Sequence, residues 1–174
     1  MKNFKLLSLA VAFTFGIAAL NSCTEDKCKD VTCSNGGVCM DGTCDCAAGY
    51  EGTTCQTKMA DKFVGSYKYN ETSGTGCGGF TDWPVTITAS STVANKVIIS
   101  GFGGFECSGA GIQVEGTVNG TDLTIPSNQS FCSGNLVINS GSGSINGSST
   151  SITINYSYTQ DTTSASCSGT YTKN

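Results

Sequence analysis

The residues best placed to do chemistry in this chain are its eleven cysteines, and their spacing sorts them into three sets. Cys23 stands alone behind an apolar run. Cys28, Cys33, Cys39, Cys44, Cys46 and Cys55 crowd into one short stretch. Cys77, Cys107, Cys132 and Cys167 are dispersed over the remainder. Thiols can carry lipid, pair as disulfides, ligate metal or attack a substrate. The dispersed set holds no close pair, and the chain has no His to complete a zinc site or a Cys-His or Ser-His-Asp constellation. Two facing carboxyls can hydrolyse a glycoside. The carboxylates from residue 59 onward are Asp61, Glu71, Asp82, Glu106, Glu115, Asp122 and Asp161, and nothing in their spacing brings two together. The chain is therefore expected to be non-enzymatic, with no cofactor beyond a covalent lipid. Disulfide formation is the chemistry that remains. So many thiols suit an oxidising compartment, and the odd count leaves one without an internal partner.

The segment in front of Cys23 supplies the compartment. Lys2 and Lys5 precede a largely apolar stretch from Leu6 to Leu20. A bilayer-spanning helix needs about 20 apolar residues, so this stretch suits a cleaved signal peptide, residues 1–22. Leu20-Asn21-Ser22-Cys23 resembles the cleavage and lipidation box of bacterial lipoproteins, with Leu at −3 and a small Ser at −1. Asn21 departs from the usual small apolar residue at −2. The resemblance implies cleavage before Cys23, fatty acyl chains such as palmitate on that residue, and a membrane partner held through the lipid. Each buried CH₂ contributes about 0.8 kcal/mol, so two or three chains hold a protein on a membrane without a transmembrane helix. Residues 23–27 form an acidic tether. Thr24-Glu25-Asp26-Lys27 resembles the surface-export signal of lipoproteins in certain Gram-negative bacteria, which implies the outer face of the outer membrane; the other reading is a solvated spacer. All nine cationic side chains are Lys, and cleavage removes two of them, leaving seven against thirteen carboxylates. Such an acidic chain offers no footprint for nucleic acid.

Residues 28–55 contain Cys33-Ser-Asn-Gly-Gly-Val-Cys39 and Cys44-Asp-Cys46-Ala-Ala-Gly49-Tyr50-Glu-Gly52-Thr-Thr-Cys55. So short a segment cannot bury enough apolar surface to offset its ordering entropy, and cross-links must compensate. Six cysteines allow 15 connectivities. The six spacings, the Gly-aromatic pair and the second Gly resemble an epidermal-growth-factor-like (EGF-like) module. The resemblance implies Cys28–Cys39, Cys33–Cys44 and Cys46–Cys55. Calcium-binding members of that family carry an acidic run before the first Cys, whereas here Lys27 occupies the adjacent position. Glu25, Asp26 and Asp41 are the weak calcium alternative, short of the six or more oxygens the ion takes.

After a polar link, residues 56–62, apolar residues alternate from Phe63 to the end with no helical period. Phe63 to Tyr69, Trp83 to Ala89, Val97 to Ile99, Ile112 to Val118, Leu123 to Ile125, Leu136 to Ile138, Ile152 to Tyr158 and Cys167 to Thr172 read as about eight strands. Asn119-Gly120 and Asn146-Gly147 read as hairpin turns with positive φ at both residues. The fold expected is all-β: the EGF-like module followed by an antiparallel up-and-down β-barrel, residues 63–174, with a β-sandwich as the rival. Phe63-Val64-Gly65-Ser66-Tyr67 faintly resembles the opening strand of lipocalin-like domains. In a closed meander the first and last strands are neighbours, which suggests Cys77–Cys167, leaving Cys107–Cys132 to tie two loops near one mouth. Trp83, Phe102, Phe105 and Phe131, with Phe80, sit near Gly-rich loops or strand ends. They are candidate contacts for a sugar or apolar ligand, or plugs for the barrel. Asp161-Thr162-Thr163 resembles an O-glycosylation sequon of some of the same bacteria, with Thr162 the acceptor; a polar turn is the alternative. The function expected is a surface-anchored lipoprotein of the cell envelope that contacts an extracellular protein or glycan, the EGF-like module acting as spacer or contact. The alternative is a carrier that uses the barrel interior or mouth.

Overall fold

Between Asp26 and Cys55 only Gly49 and Cys55 are buried, so disulfides stand in for a core there. A computed structural model describes residues 26–174. The signal segment, Cys23, Thr24 and Glu25 lie outside the described residues. In the first module β1 (Val38–Met40) pairs with β2 (Thr43–Asp45), and β3 (Tyr50–Glu51) pairs with β4 (Thr57–Lys58), both antiparallel. Three disulfides lace these ribbons: Cys28–Cys39, Cys33–Cys44 and Cys46–Cys55.

The rest of the chain is mostly strand, with three 3₁₀ turns among the described residues. In order come β5 (Gly65–Thr75), β6 (Trp83–Ala89), β7 (Lys96–Ser100), β8 (Glu106–Cys107), β9 (Ala110–Gly111), β10 (Gln113–Asn119), β11 (Asp122–Ile125), β12 (Gln129–Phe131), β13 (Leu136–Ile145), β14 (Ser151–Gln160) and β15 (Thr163–Lys173). Each main strand pairs antiparallel with the next, β11 pairs with β13, and β15 returns to β5. The result is a closed eight-stranded up-and-down barrel, formed by β5, β6, β7, β10, β11, β13, β14 and β15, and not a sandwich. Closure removes the unpaired edges that invite aggregation. The β8–β9 hairpin and β12 are additions to one end.

Strand alternation decides what fills the barrel. Tyr67, Tyr69, Val85, Ile87, Val97, Ile99, Val114, Leu123, Ile125, Ile138, Ile152, Ile154 and Tyr171 are buried inside. Ser66, Lys68, Thr86, Thr88, Glu115, Thr124, Ser142, Thr153, Asn155 and Ser166 are exposed outside. This is the reverse of a membrane-spanning barrel, whose outer band is apolar. No helix among the described residues is long and apolar enough to cross a membrane.

Room for the large interior rings comes from small residues opposite them. Gly169 sits beside a bulge where β15 meets β5. A methyl group there would lie 2.1 Å from the Tyr69 ring. Gly169→Ala is accordingly expected to cost about 1–3 kcal/mol by overpacking. Urea denaturation measures this directly, and an unchanged midpoint would show that the ring has another place to go.

Both Asn-Gly pairs lie at hairpins, but with different geometry from the two-residue positive-φ turns read from sequence. Asn119 ends β10, and within that pair only Gly120 takes positive φ. Asn146 opens a longer loop, where its side-chain oxygen accepts from the Thr150 and Ser151 N–H groups at 2.8 and 3.1 Å. These side-chain bonds add to a backbone turn in which Ser149 N–H donates to Asn146 O at 2.9 Å.

Residues 56–62, a polar link in the sequence, are built into the structure. Thr57 and Lys58 form β4, Met59–Lys62 form a 3₁₀ turn, and Ala60 and Phe63 are completely buried. The module is fixed to the barrel by this turn. Met59 N–H donates to Gly49 O at 2.9 Å, and Lys62 Nζ reaches Glu51 at 2.7 Å and Gly120 O at 3.4 Å. At Gly49, with φ of +89°, a Cβ would come within 2.8 Å of Asn95 N, so only glycine permits this approach.

Candidate functional site

The two ends of the barrel are unlike. The end beside the EGF-like module carries tight connections: 90–95, 120–121 and 146–150. The far end carries the longer ones: 76–82, 101–112 and 126–135, with the short turn 161–162. Both barrel disulfides are at the far end. Cys77–Cys167 staples the 76–82 loop to β15, and Cys107–Cys132 joins the β8–β9 hairpin to the turn after β12. Loops held by a rigid scaffold are where binding residues concentrate, which makes this pole the candidate site.

Beneath the pole lies a hydrogen-bonded group centred on Glu71, one of the seven carboxylates whose spacing in the sequence brings no two together. Glu71 continues the inward parity of Tyr67 and Tyr69 along β5. Its Oε1 accepts from the hydroxyls of Tyr69 and Tyr156, each at 3.2 Å, and its Oε2 accepts from the Gly79 N–H. One carboxylate thus ties the 76–82 loop to two interior tyrosines. Tyr158 adds a bond to Gly76 O at 2.6 Å. The signal that could have found Glu71 was its spacing, two residues beyond an alternating aromatic pair.

Burial raises the pKa of the barrel tyrosines. Tyr67 is pushed up to about 12 by burial alone. Tyr69, Tyr156, Tyr158 and Tyr171 are also raised, by burial first. The Glu71 charge adds to this for Tyr69, Tyr156 and Tyr158. A hydroxyl that stays neutral when folded but ionises when unfolded stabilises the fold fully below its ordinary value near 10. That stability is lost as pH rises through the folded value. Alkaline unfolding is therefore expected to begin above about pH 10, with tyrosinate absorbance and loss of β circular dichroism rising together. Ionisation of the interior tyrosines with the β signal intact would contradict this.

The candidate aromatics separate on burial. Trp83 is half-buried at the start of β6, edge-on to Phe80 with centroids 5.3 Å apart. Phe105 is half-buried and meets Tyr158 at 4.6 Å. Phe131 is half-buried beside the Cys107–Cys132 bridge. Phe102, read as a possible ligand contact, is instead completely buried, edge-on to Tyr156 at 4.9 Å. It plugs the far mouth because the 3₁₀ turn Phe102–Gly104 folds into the barrel.

Phe102 and Phe63 belong to one continuous cluster of buried side chains that lines the interior. The main surface depressions lie on the outer wall or beside the far loops. One, about 460 Å³, is an open trough over Ser140, Ser142, Asn155, Ser157, Ser166 and Ser168. A smaller one of about 150 Å³ adjoins Glu71 and Cys77. Glu71 also lies close to the sulfurs of Cys77 and Cys167. Those sulfurs are bonded to each other and offer no thiolate to a metal.

The other carboxylates, Asp61, Asp82, Glu106, Glu115, Asp122 and Asp161, are all exposed. Asp82 faces Lys68 at 3.8 Å and Glu115 faces Lys96 at 2.6 Å. In the module, Asp26 Oδ1 accepts from Cys28 N–H at 3.0 Å and Asp41 pairs with Lys27 at 3.3 Å, so both calcium candidates within the described residues already have local partners. Thr162 is exposed in the turn between β14 and β15. Gln129 carries a role no motif announced. Its side-chain amide accepts from Glu115 N–H and donates to Glu115 O, both at 2.8 Å, completing β10 where that strand parts from β11.

Residues 30–58 match the teneurin-like EGF domain family. The match covers most of the cross-linked module with β4 and stops before the barrel. No curated protein and no solved structure matches the chain.

Proposed function

We propose that this is a lipid-anchored, non-enzymatic interaction protein of the cell envelope. Cys23 carries the anchor, the EGF-like module is a fixed spacer, and the barrel presents its disulfide-tied pole to an extracellular protein or glycan. The observation that carries this reading is polarity of construction. The chain enters at one end through the module, and the long, cross-linked loops gather at the other. An eleven-residue strand tilted as in small barrels holds those loops on the order of 25 Å beyond the joint. The joint through Gly49, Met59 and Lys62 makes the spacer stiff, which lowers the ordering entropy lost on binding.

Half-buried Trp83, Phe105 and Phe131 are the candidate contacts at this pole. For the carrier alternative, the buried aromatic and aliphatic side chains of the interior favour a ligand position among these loops. Mass spectrometry of the native protein is expected to show acylated Cys23 as the first residue; a retained Met1 would end the anchoring part. For the contact, the mature chain and a variant with Ser108–Ala110 exchanged for a different polar tip are screened on a glycan array and by crosslinking on live cells. Binding that is lost in the variant supports the pole, while binding unchanged by the exchange moves the contact elsewhere.

A further inference from the structure

Val38 and Met40 are 63% and 62% exposed, the most exposed large hydrophobic side chains among the described residues. They stand two apart on β1 and so share one face of a two-stranded ribbon. Cys39 between them turns the other way, into its bridge with Cys28. Nothing else among the described residues covers that face enough to bury either side chain.

The ribbon lies where the chain arrives. Lys27 Nζ pairs with Asp41 Oδ1 at 3.3 Å, and a Cβ added at Gly42 would lie 3.3 Å from Lys27 O. The incoming chain therefore runs against the β1–β2 turn, whose first neighbour is Met40. Cys23 precedes Asp26 by three residues, at most about 10 Å of extended chain. The joint to the barrel runs through Gly49, Glu51, Met59 and Lys62, none of them in the β1–β2 ribbon.

We propose that the Val38–Met40 face seats in the headgroup region of the bilayer that receives the acyl chains of Cys23. The inference rests on the anchoring reading above and adds an orientation to it. Acyl chains alone fix a protein to a membrane without fixing its tilt. A shallow apolar contact beside the tether sets the module upright and aims the far pole away from the surface. Lys27 and Lys29 are outnumbered here by Asp26, Asp30, Asp41 and Asp45, so the contact draws on Val38 and Met40 and not on basic charge. Asp45, opposite Val38, stays at the hydrated headgroup level. The contact suits the interfacial boundary, where apolar side chains bury a few ångströms deep.

The test tethers the mature chain chemically, so that it does not depend on cellular lipidation. With ten cysteines bridged, the Cys23 thiol is coupled to a maleimide lipid in phosphatidylcholine vesicles. Oxidation of Met40 and Met59 by hydrogen peroxide is followed by mass spectrometry. Met40 is expected to react about fivefold more slowly when tethered than in the untethered chain mixed with the same vesicles, with half-buried Met59 changing little, since sulfoxide formation follows exposure. Equal Met40 rates in both samples overturn the proposal. Protection that appears equally without the tether, and grows with protein concentration, assigns the face to a second copy of the chain and overturns it too. The anchoring reading is decided separately, by the N-terminal mass of the native protein.

Discussion

Replacing both Cys77 and Cys167 with alanine is expected to lower stability by about 4.6 kcal/mol, the larger of the two barrel disulfide effects. The bridge closes a separation of 90 residues, against 25 for Cys107–Cys132. In the chain-entropy account the cost of losing a cross-link grows with the logarithm of the loop, which gives about 3.5 kcal/mol for the shorter one. Position widens the gap. Cys167 is buried within β15, so truncating it also removes packed atoms, whereas Cys107 and Cys132 are only half-buried. The bridge also holds the 76–82 loop, whose Gly79 N–H bonds to Glu71. A fall in Tm of roughly 10–15 °C follows for a chain of this length. Calorimetry of the two double variants, Cys77→Ala with Cys167→Ala and Cys107→Ala with Cys132→Ala, checks the order as well as the size. If the second pair proves the more damaging, closure between first and last strands is not the main stabiliser.

Phe102→Ala should be nearly as severe. The ring is completely buried and packs edge-on against Tyr156 at the far mouth. Removing a buried phenyl costs about 3–5 kcal/mol, as lost transfer free energy plus the cavity left behind. The cavity would open between the barrel interior and the disulfide-tied loops, since Phe102–Gly104 is the segment that folds inward. The variant is therefore also expected to gain an apolar space at the mouth, where the Phe102 ring now sits. Urea denaturation measures the first effect, and binding of a small apolar dye measures the second. A loss below about 1 kcal/mol would mean that Phe102 is not part of the core. Where the variant does not fold, Phe102→Leu, which keeps most of the volume, provides the smaller graded effect.

The Cys77–Cys167 pairing was legible in the sequence, whereas the Phe102 expectation comes from tertiary placement alone. Alternation from Phe63 onward revealed an all-β domain because strand periodicity is a property of each segment alone. The same holds for the EGF-like module, whose identity is written in local cysteine and glycine spacing. Strand lengths were less legible. The strand β15 extends from Thr163, well before Cys167, because its first residues are small and polar and pair through the backbone without an apolar signal. The β8–β9 hairpin and β12 escaped for a related reason, being too short to show a period.

What the chain's order of residues determined by itself was the class: a cross-linked module, then a meander of strands whose inner and outer faces are assigned by parity. Only the closed barrel decided that Phe102 is a plug, that Glu71 gathers two tyrosines and a loop N–H, that Gln129 mends β10, and that residues 56–62 form a rigid joint. Each of these depends on groups brought together from distant points in the chain, Tyr156 to Glu71 across 85 residues and Lys62 to Gly120 across 58. Periodicity reports which face a side chain takes; it carries no record of what stands opposite once the sheet has closed.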